Sequence, residues 1–231
     1  MSAFQELKEA ACAANRALPA SGLITSTFGN ASAWDRSRGV FAIKPSGVAF
    51  DALTPGEMVV VDLDLNVVEG TKRPSSDTKT HAVLYRAWPE IGGIVHTHSP
   101  FALAWAQAAR PIPMLGTTHA DLCAVDIPCT APLTPRQIRG DYEEETGKQI
   151  LRRFRRLDPM SVPMVLVVQH GPFVWGPSAA GAVERAVHLE LVARAAFLTL
   201  QIRPRTPRLG AALLRKHFER KHGATATYGQ K

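Results

Sequence analysis

Cysteine is scarce. Cys12, Cys123 and Cys129 are the only three in 231 residues, and no two stand in a CxxC pair. That spacing excludes a disulfide framework and a cysteine-type zinc site. It fits a reducing, cytoplasmic compartment, and no local signature marks any of the three as a nucleophile. Long apolar runs are missing as well. Stretches such as Ile91–Val95 and Met164–Val168 fall far short of the roughly 20 residues that a bilayer span needs. No basic-then-apolar leader precedes a small-residue cleavage site, so neither secretion nor membrane insertion is expected. Internal repeats, low-complexity tracts and Pro/Gly/Ser linkers are also absent. One domain over residues 1–231 is therefore expected, of a length that can bury a substantial core.

Apolar residues make up 45% of the chain, too many for a disordered polymer. Lys and Arg number 27 against 20 Asp and Glu, a formal charge of +7. Charge alone admits a nucleic-acid partner, an anionic substrate or an Arg-rich solvated surface. The cations crowd into the last third, around Arg152–Arg156 and Arg203–Lys221. No nucleic-acid motif accompanies them, and basic stripes interleaved with aromatics are missing, so no nucleic-acid partner is expected.

Helical and extended patterns alternate, which predicts an α/β fold with a central sheet flanked by helices. Helical spacing marks Phe4–Leu18, Ser76–Trp88, Phe101–Ala109, Glu143–Arg156, Ser178–Ile202 and Leu209–Lys221. Extended segments are read at Leu23–Trp34, Val40–Ile43, Met58–Leu63, Ile91–His98 and Met164–Gln169, with a hairpin across Asp35–Gly39. Pro111–Pro132 reads as loop.

Ile94-Val95-His96-Thr97-His98 carries the strongest local signal. On a strand, residues i and i+2 share a face, so His96 and His98 project together. His170 follows a second apolar run, Met164–Val168. Ligands gather at the carboxyl ends of strands in α/β sheets, and three imidazoles converging there match a catalytic zinc shell with an open position. Gly70-Thr71-Lys72-Arg73-Pro74-Ser75-Ser76-Asp77 opens a helix, where free N–H groups and two hydroxyls suit an anion such as phosphate. Asp77 there is a candidate metal ligand or base. Lys44-Pro45-Ser46-Gly47 and Gly29-Asn30 are candidates for further donors to that anion. Each piece also has a plain structural reading: solvent-facing histidines, a capping histidine, serine N-caps and ordinary turns.

Taken in order, these pieces resemble the class II aldolase/epimerase family. The likeness runs from Thr27-Phe28-Gly29-Asn30 and Ile43-Lys44-Pro45-Ser46-Gly47-Val48 through Pro74-Ser75-Ser76-Asp77-Thr78 and Gly92-Gly93-Ile94-Val95-His96-Thr97-His98-Ser99. It continues with Gly116-Thr117-Thr118-His119-Ala120-Asp121, Ile127-Pro128-Cys129-Thr130 and His170-Gly171-Pro172-Phe173. It ends with Arg220-Lys221-His222-Gly223-Ala224 and Tyr228-Gly229-Gln230.

The resemblance implies a divalent metal, zinc by expectation with manganese or cobalt as options, held by His96, His98 and His170 with Asp77 beside them. It implies a phosphate site at Asn30, Lys44, Ser46, Gly47, Ser75 and Ser76. Within the family the pattern is similar to the branch that inverts C4 of L-ribulose 5-phosphate to give D-xylulose 5-phosphate, a step of arabinose or ascorbate breakdown. There the metal stabilises the enediolate left when C3–C4 breaks, and the aldehyde turns before the bond re-forms. Asp121 and Tyr228, reaching in from a neighbouring subunit, would be the acid/base pair, and His217 a further contact between subunits. A homo-oligomer follows, a C4 tetramer by the family's habit. Related aldolases carry Glu after the paired serines, and the shorter Asp77 favours the epimerase. Alternatives on the same fold are a class II sugar-phosphate aldolase, a dehydratase of a methylthio sugar phosphate, or a scaffold like the adducin head. The three histidines argue against the scaffold.

Overall fold

A computed structural model describes residues 2–24, 26–223 and 226. Seven strands form one sheet: β1 (Asn30–Asp35), β2 (Val40–Ile43), β3 (Val59–Asp62), β4 (Val67–Glu69), β5 (Gly93–His96), β6 (Met164–Val167) and β7 (Gly171–Gly176). Their order is β4-β3-β2-β1-β5-β7-β6. Every neighbouring pair is antiparallel. Eight α-helices are described: α1 (Gln5–Ala20), α2 (Thr78–Ala87), α3 (Pro100–Gln107), α4 (Thr117–Ala120), α5 (Pro135–Arg139), α6 (Tyr142–Arg153), α7 (Ala179–Ile202) and α8 (Ala211–His222).

The expected helix-flanked sheet is present, but its direction differs from the parallel pattern that alternating elements suggest. Convergence of ligands at one sheet end has a different cause as a result. Strand β5 arrives at that end with His96, and β7 departs from it with Gly171, because the two run in opposite directions and pair His96 with Phe173. The rule for carboxyl ends of parallel strands is not what gathers the histidines here.

Alternation along β1 and β5 divides the core. Ala31 and Ala33 lie beneath α1, where buried Asn15 exchanges two 2.8 Å hydrogen bonds with the Ala31 backbone. Ser32 and Trp34 face α2, where Ser32 Oγ meets His81 Nδ1 and the Tyr85 hydroxyl, each at 2.7 Å. The same face of β5 and β7 presents Ile94, His96, Phe173 and Trp175. Trp175 packs against Trp88 and Phe154, beyond the ends of α2 and α6. Helix α7 covers the other face. Buried Ala182, Val183, Ala186, Leu189, Val192, Ala193 and Ala196 run along its inner face, and its polar contrast is weak because Leu191, Phe197, Leu198 and Ile202 are exposed on it as well.

Several elements lie outside the sequence expectation. Strands β4 and β7 and helices α4 and α5 were not legible as such. Strand β7 reads Gly-Pro-Phe-Val-Trp-Gly, a pattern of breakers, and Pro normally marks a sheet edge. Here β7 is interior. Pro172 sits at its second residue, where its carbonyl accepts from His96 Nδ1 at 2.9 Å and from the Thr97 N–H. The missing N–H costs no bond to β6, because Leu166 opposite it donates to the Pro128 carbonyl and accepts from the Thr130 N–H instead. Among the described residues no helix is long and apolar enough to cross a membrane.

Candidate metal centre and anion cradle

Strand β5 delivers His96, which is 2% exposed, and the chain leaves it through Thr97, His98 and Ser99 into α3. The start of α3 is anchored by Glu190 of α7, whose carboxylate accepts from the Phe101 and Ala102 N–H groups at 2.8 and 2.9 Å. His170 comes from the turn joining β6 to β7, where Gln169 takes a left-handed φ of 58°. It therefore leaves from a hairpin turn, not from a strand exit. The ligand nitrogens of His96, His98 and His170 all lie within 4.8 Å of one another.

Two glycines permit this approach. A Cβ on Gly171 would lie 2.7 Å from the Thr97 carbonyl oxygen and 3.3 Å from the His98 ring. One on Gly29, whose φ is +105°, would lie 2.8 Å from the His96 carbonyl oxygen. Either side chain would push the histidine segment out of place.

The donor set fits a divalent metal. The Pro172 carbonyl accepts a hydrogen bond from His96 Nδ1–H, so the lone pair stands on Nε2, which faces His98 Nε2 at 3.2 Å. Burial pushes the pKa of all three histidines down, that of His170 to about 4. They are neutral near pH 7, the form in which imidazole is a ligand. Burial raises the Asp77 pKa, while the charge of the nearby histidines when protonated and the hydrogen bond from Asn30 lower it, for a net shift downward. It stands as a carboxylate, with Oδ2 accepting from Asn30 Nδ2 at 2.7 Å. Three imidazoles and a carboxylate suit zinc, manganese or cobalt.

The same cavity, about 380 Å³, reaches from these ligands to the predicted anion residues Asn30, Lys44, Ser46, Gly47, Ser75 and Ser76. Two loops form its polar end. The Ser46 N–H donates to the Arg73 carbonyl at 2.9 Å and the Ser75 N–H to the Lys44 carbonyl at 3.0 Å. Those two amides are committed to holding the loops together. The donors left to the cradle include the serine hydroxyls and Lys44, which is 3% exposed and whose pKa burial lowers. Asp77, not a serine, stands at the N-cap of α2, where a carboxylate suits the positive end of the helix.

Sequence reasoning missed Phe28, Tyr142 and Glu143, which also line the cavity. Tyr142 places its hydroxyl 3.4 Å from His170 Nδ1. Its signal was weak: Asp141-Tyr142 opens α6, and only the docking of α6 on α2, through the Lys79–Asp141 ion pair and the Thr80 hydroxyl on the Glu143 carbonyl, brings it in.

Asp121 and His217 do not line this cavity. They meet each other where α8 packs on α4, with His217 Nδ1 3.1 Å from Asp121 Oδ1. Arg220 grips both oxygens of the same carboxylate, at 3.2 and 2.8 Å. Burial raises the Asp121 pKa, but Arg220 and His217 lower it further, so it too is a carboxylate. Tyr228 lies outside the described residues.

An imidazole triad with a fixed carboxylate, sharing one cavity with a polar cradle, makes a candidate metal site in an α/β fold. The family model described as the class II aldolase and adducin N-terminal domain matches residues 9–197, and the chain belongs to that family. Solved structures agree on the fold. An L-fuculose 1-phosphate aldolase is 24% identical, with 95% of this chain and 97% of that one covered and a TM-score of 0.78. The L-fuculose-1-phosphate aldolase of Thermus thermophilus is 25% identical over 88% of this chain and 98% of its own, with a TM-score of 0.67. YgbL of Klebsiella pneumoniae, described as a candidate aldolase/epimerase/decarboxylase, is 24% identical over 94% and 99%, with a TM-score of 0.72.

Proposed function

We propose that this protein is a divalent-metal-dependent L-ribulose-5-phosphate 4-epimerase, forming D-xylulose 5-phosphate by breaking and re-forming C3–C4. The observation that carries the reading is the placement of Asp77. Its short carboxylate accepts from Asn30 at 2.7 Å beside the three histidines. So held, it is a fixed anion of the metal site and a poor mobile proton carrier. An epimerase needs no proton carrier there, since its acid and base act at the C4 hydroxyl.

Zinc held by His96, His98 and His170 would supply a Lewis acid for the oxygens beside C3. The chain's own groups do the rest. Lys44 and the hydroxyls of Ser46, Ser75 and Ser76 hold the phosphate and so fix the C5 end. Asn30 keeps Asp77 in place. Asp121 and Tyr228 of a neighbouring copy take and return the C4 hydroxyl proton on opposite faces of the aldehyde. Asp121 and His217 stand outside their own chain's cavity, which supports a site completed between subunits of a C4 tetramer.

The second reading is a class II aldolase acting on a sugar phosphate, favoured by the likeness to L-fuculose 1-phosphate aldolases and served by the same histidines. Incubating zinc-loaded protein with L-ribulose 5-phosphate and following products by NMR separates the two. D-Xylulose 5-phosphate is the expected product. Dihydroxyacetone and glycolaldehyde phosphate as main products would assign the aldolase instead. A His96→Ala/His98→Ala variant should lose both zinc and activity. Retained activity there, or an active monomer in sedimentation, would overturn the mechanism.

A further inference from the structure

Among the described residues lining the cavity, Phe28 alone is a large apolar side chain left mostly exposed, at 59%. The rest of the lining is largely histidine, serine, lysine, carboxylate and amide. An aromatic ring facing water in a polar site forgoes its burial unless something comes to cover it.

The ring is not loosely placed. It stacks on the imidazole of His98 with planes 2° apart and centroids 5.7 Å apart, within the range of offset stacking. Its segment turns through left-handed conformations at Ser26, φ 63°, and Gly29, φ 105°. Gly29 also lies so close to the His96 carbonyl that no side chain fits. The backbone thus presses against the end of β5 and sets the phenyl ring over a metal-ligand histidine.

This inference rests on the epimerase reading. In that reaction, cleavage sends the C3–C4 electron pair to C3 and the C4 hydroxyl proton to the base, and C4 becomes the aldehyde carbon. Re-addition on the other aldehyde face reverses both transfers. A competing exit exists. C3 takes a proton from water, the base returns its proton to the hydroxide, and dihydroxyacetone and glycolaldehyde phosphate leave. The substrate spans the metal ligands and the phosphate cradle, so C3 and C4 lie between them, in the cavity that Phe28 also lines. We propose that Phe28 determines the outcome: its ring keeps water from C3 and holds the aldehyde fragment without hydrogen bonds. The fragment can then turn but not escape.

The test uses zinc-loaded, full-length wild type, Phe28→Ala, Phe28→Leu and Phe28→Trp with L-ribulose 5-phosphate. Each is read as the ratio of dihydroxyacetone to D-xylulose 5-phosphate by NMR, with zinc content and sedimentation measured in parallel. Phe28→Ala should raise the ratio at least tenfold at unchanged zinc content and unchanged oligomeric state. Phe28→Leu should fall between, and Phe28→Trp should stay near wild type. An unchanged ratio in Phe28→Ala overturns the proposal. So does loss of zinc, which would make the ring a support of His98, or dissociation, which would make it a subunit contact. Failure of the epimerase reading shows in the wild type, as no D-xylulose 5-phosphate; failure of this inference shows only in the variants.

Discussion

Acidifying the metal-free protein should destabilise it through His81, a residue that touches no substrate. His81 is fully buried on α2, one turn after Asp77. Its Nδ1 is paired with Ser32 Oγ, and its Nε2 is buried with no partner among the described residues. Phe173 stands edge-on to the ring. Burial pushes the pKa from 6.5 down to about 3; Asp77 pulls it up and His96 pushes it further down.

The sign follows from which state binds the proton. Between pH 6.5 and 3 the unfolded chain protonates His81 and the folded chain does not, so stability falls as pH falls through that window. Going from pH 7 to 5 should remove about 2 kcal/mol through this one residue. At pH 5 the native imidazole is neutral even if its pKa is one unit higher, so the figure is insensitive to the depressed value. His96, His98, His119 and His170 have lowered pKa values and act in the same direction. The total slope for wild type is therefore steeper, and a comparison isolates His81. Urea unfolding of chelator-treated wild type and His81→Gln, at one protein concentration and at pH 7 and 5, gives the two pH dependences. Wild type should lose about 2 kcal/mol more than the variant. Equal losses would mean that His81 is protonated in the folded protein and that its burial argument is wrong.

Three further outcomes are expected. Gly171→Ala puts a methyl 2.7 Å from the Thr97 carbonyl and 3.4 Å from the His96 ring; zinc affinity, read by competition with a chromophoric chelator, should fall about 10- to 100-fold. Because the pKa values of His96, His98 and His170 are depressed, protons compete weakly for the site, so zinc should stay bound at pH 6 and leave only toward about pH 4, followed by dialysis and metal analysis. Arg220→Ala removes both guanidinium contacts to Asp121. It should cost about 1 kcal/mol, or about 2–4 °C in Tm. It should also raise the Asp121 pKa, moving the acid limb of the kcat/KM profile to higher pH. An unmoved limb would separate Arg220 from catalysis.

Much of the site is legible in local spacing. His96 and His98 stand two apart at the end of an apolar strand, and their Nε2 atoms do face each other. Asp77 stands at the N-cap of α2, and the paired serines lie just before it, short of where the helix begins at Thr78. Local pattern missed what depends on partners far away in sequence. Strand β7 looks like a string of breakers, because what makes it a strand is its pairing with β5 and β6. Tyr142 joins the cavity through an ion pair spanning 62 positions. Phe28 sits inside a motif whose polar Asn30 draws the eye, and only its exposure and its stacking on His98 set it apart.

The sequence by itself determined the class of element, the ligand types and the absence of a long apolar span, because these depend on residue type and on spacings of two to four. It did not determine direction or address. Whether strands run parallel, which turn carries His170, which amides are consumed in joining the two cradle loops, and where Asp121 lies are settled by long-range pairing. Backbone groups must find partners across the whole chain, and that requirement brings Pro172 into an interior strand, His170 beside His96 and Asp121 beneath Arg220.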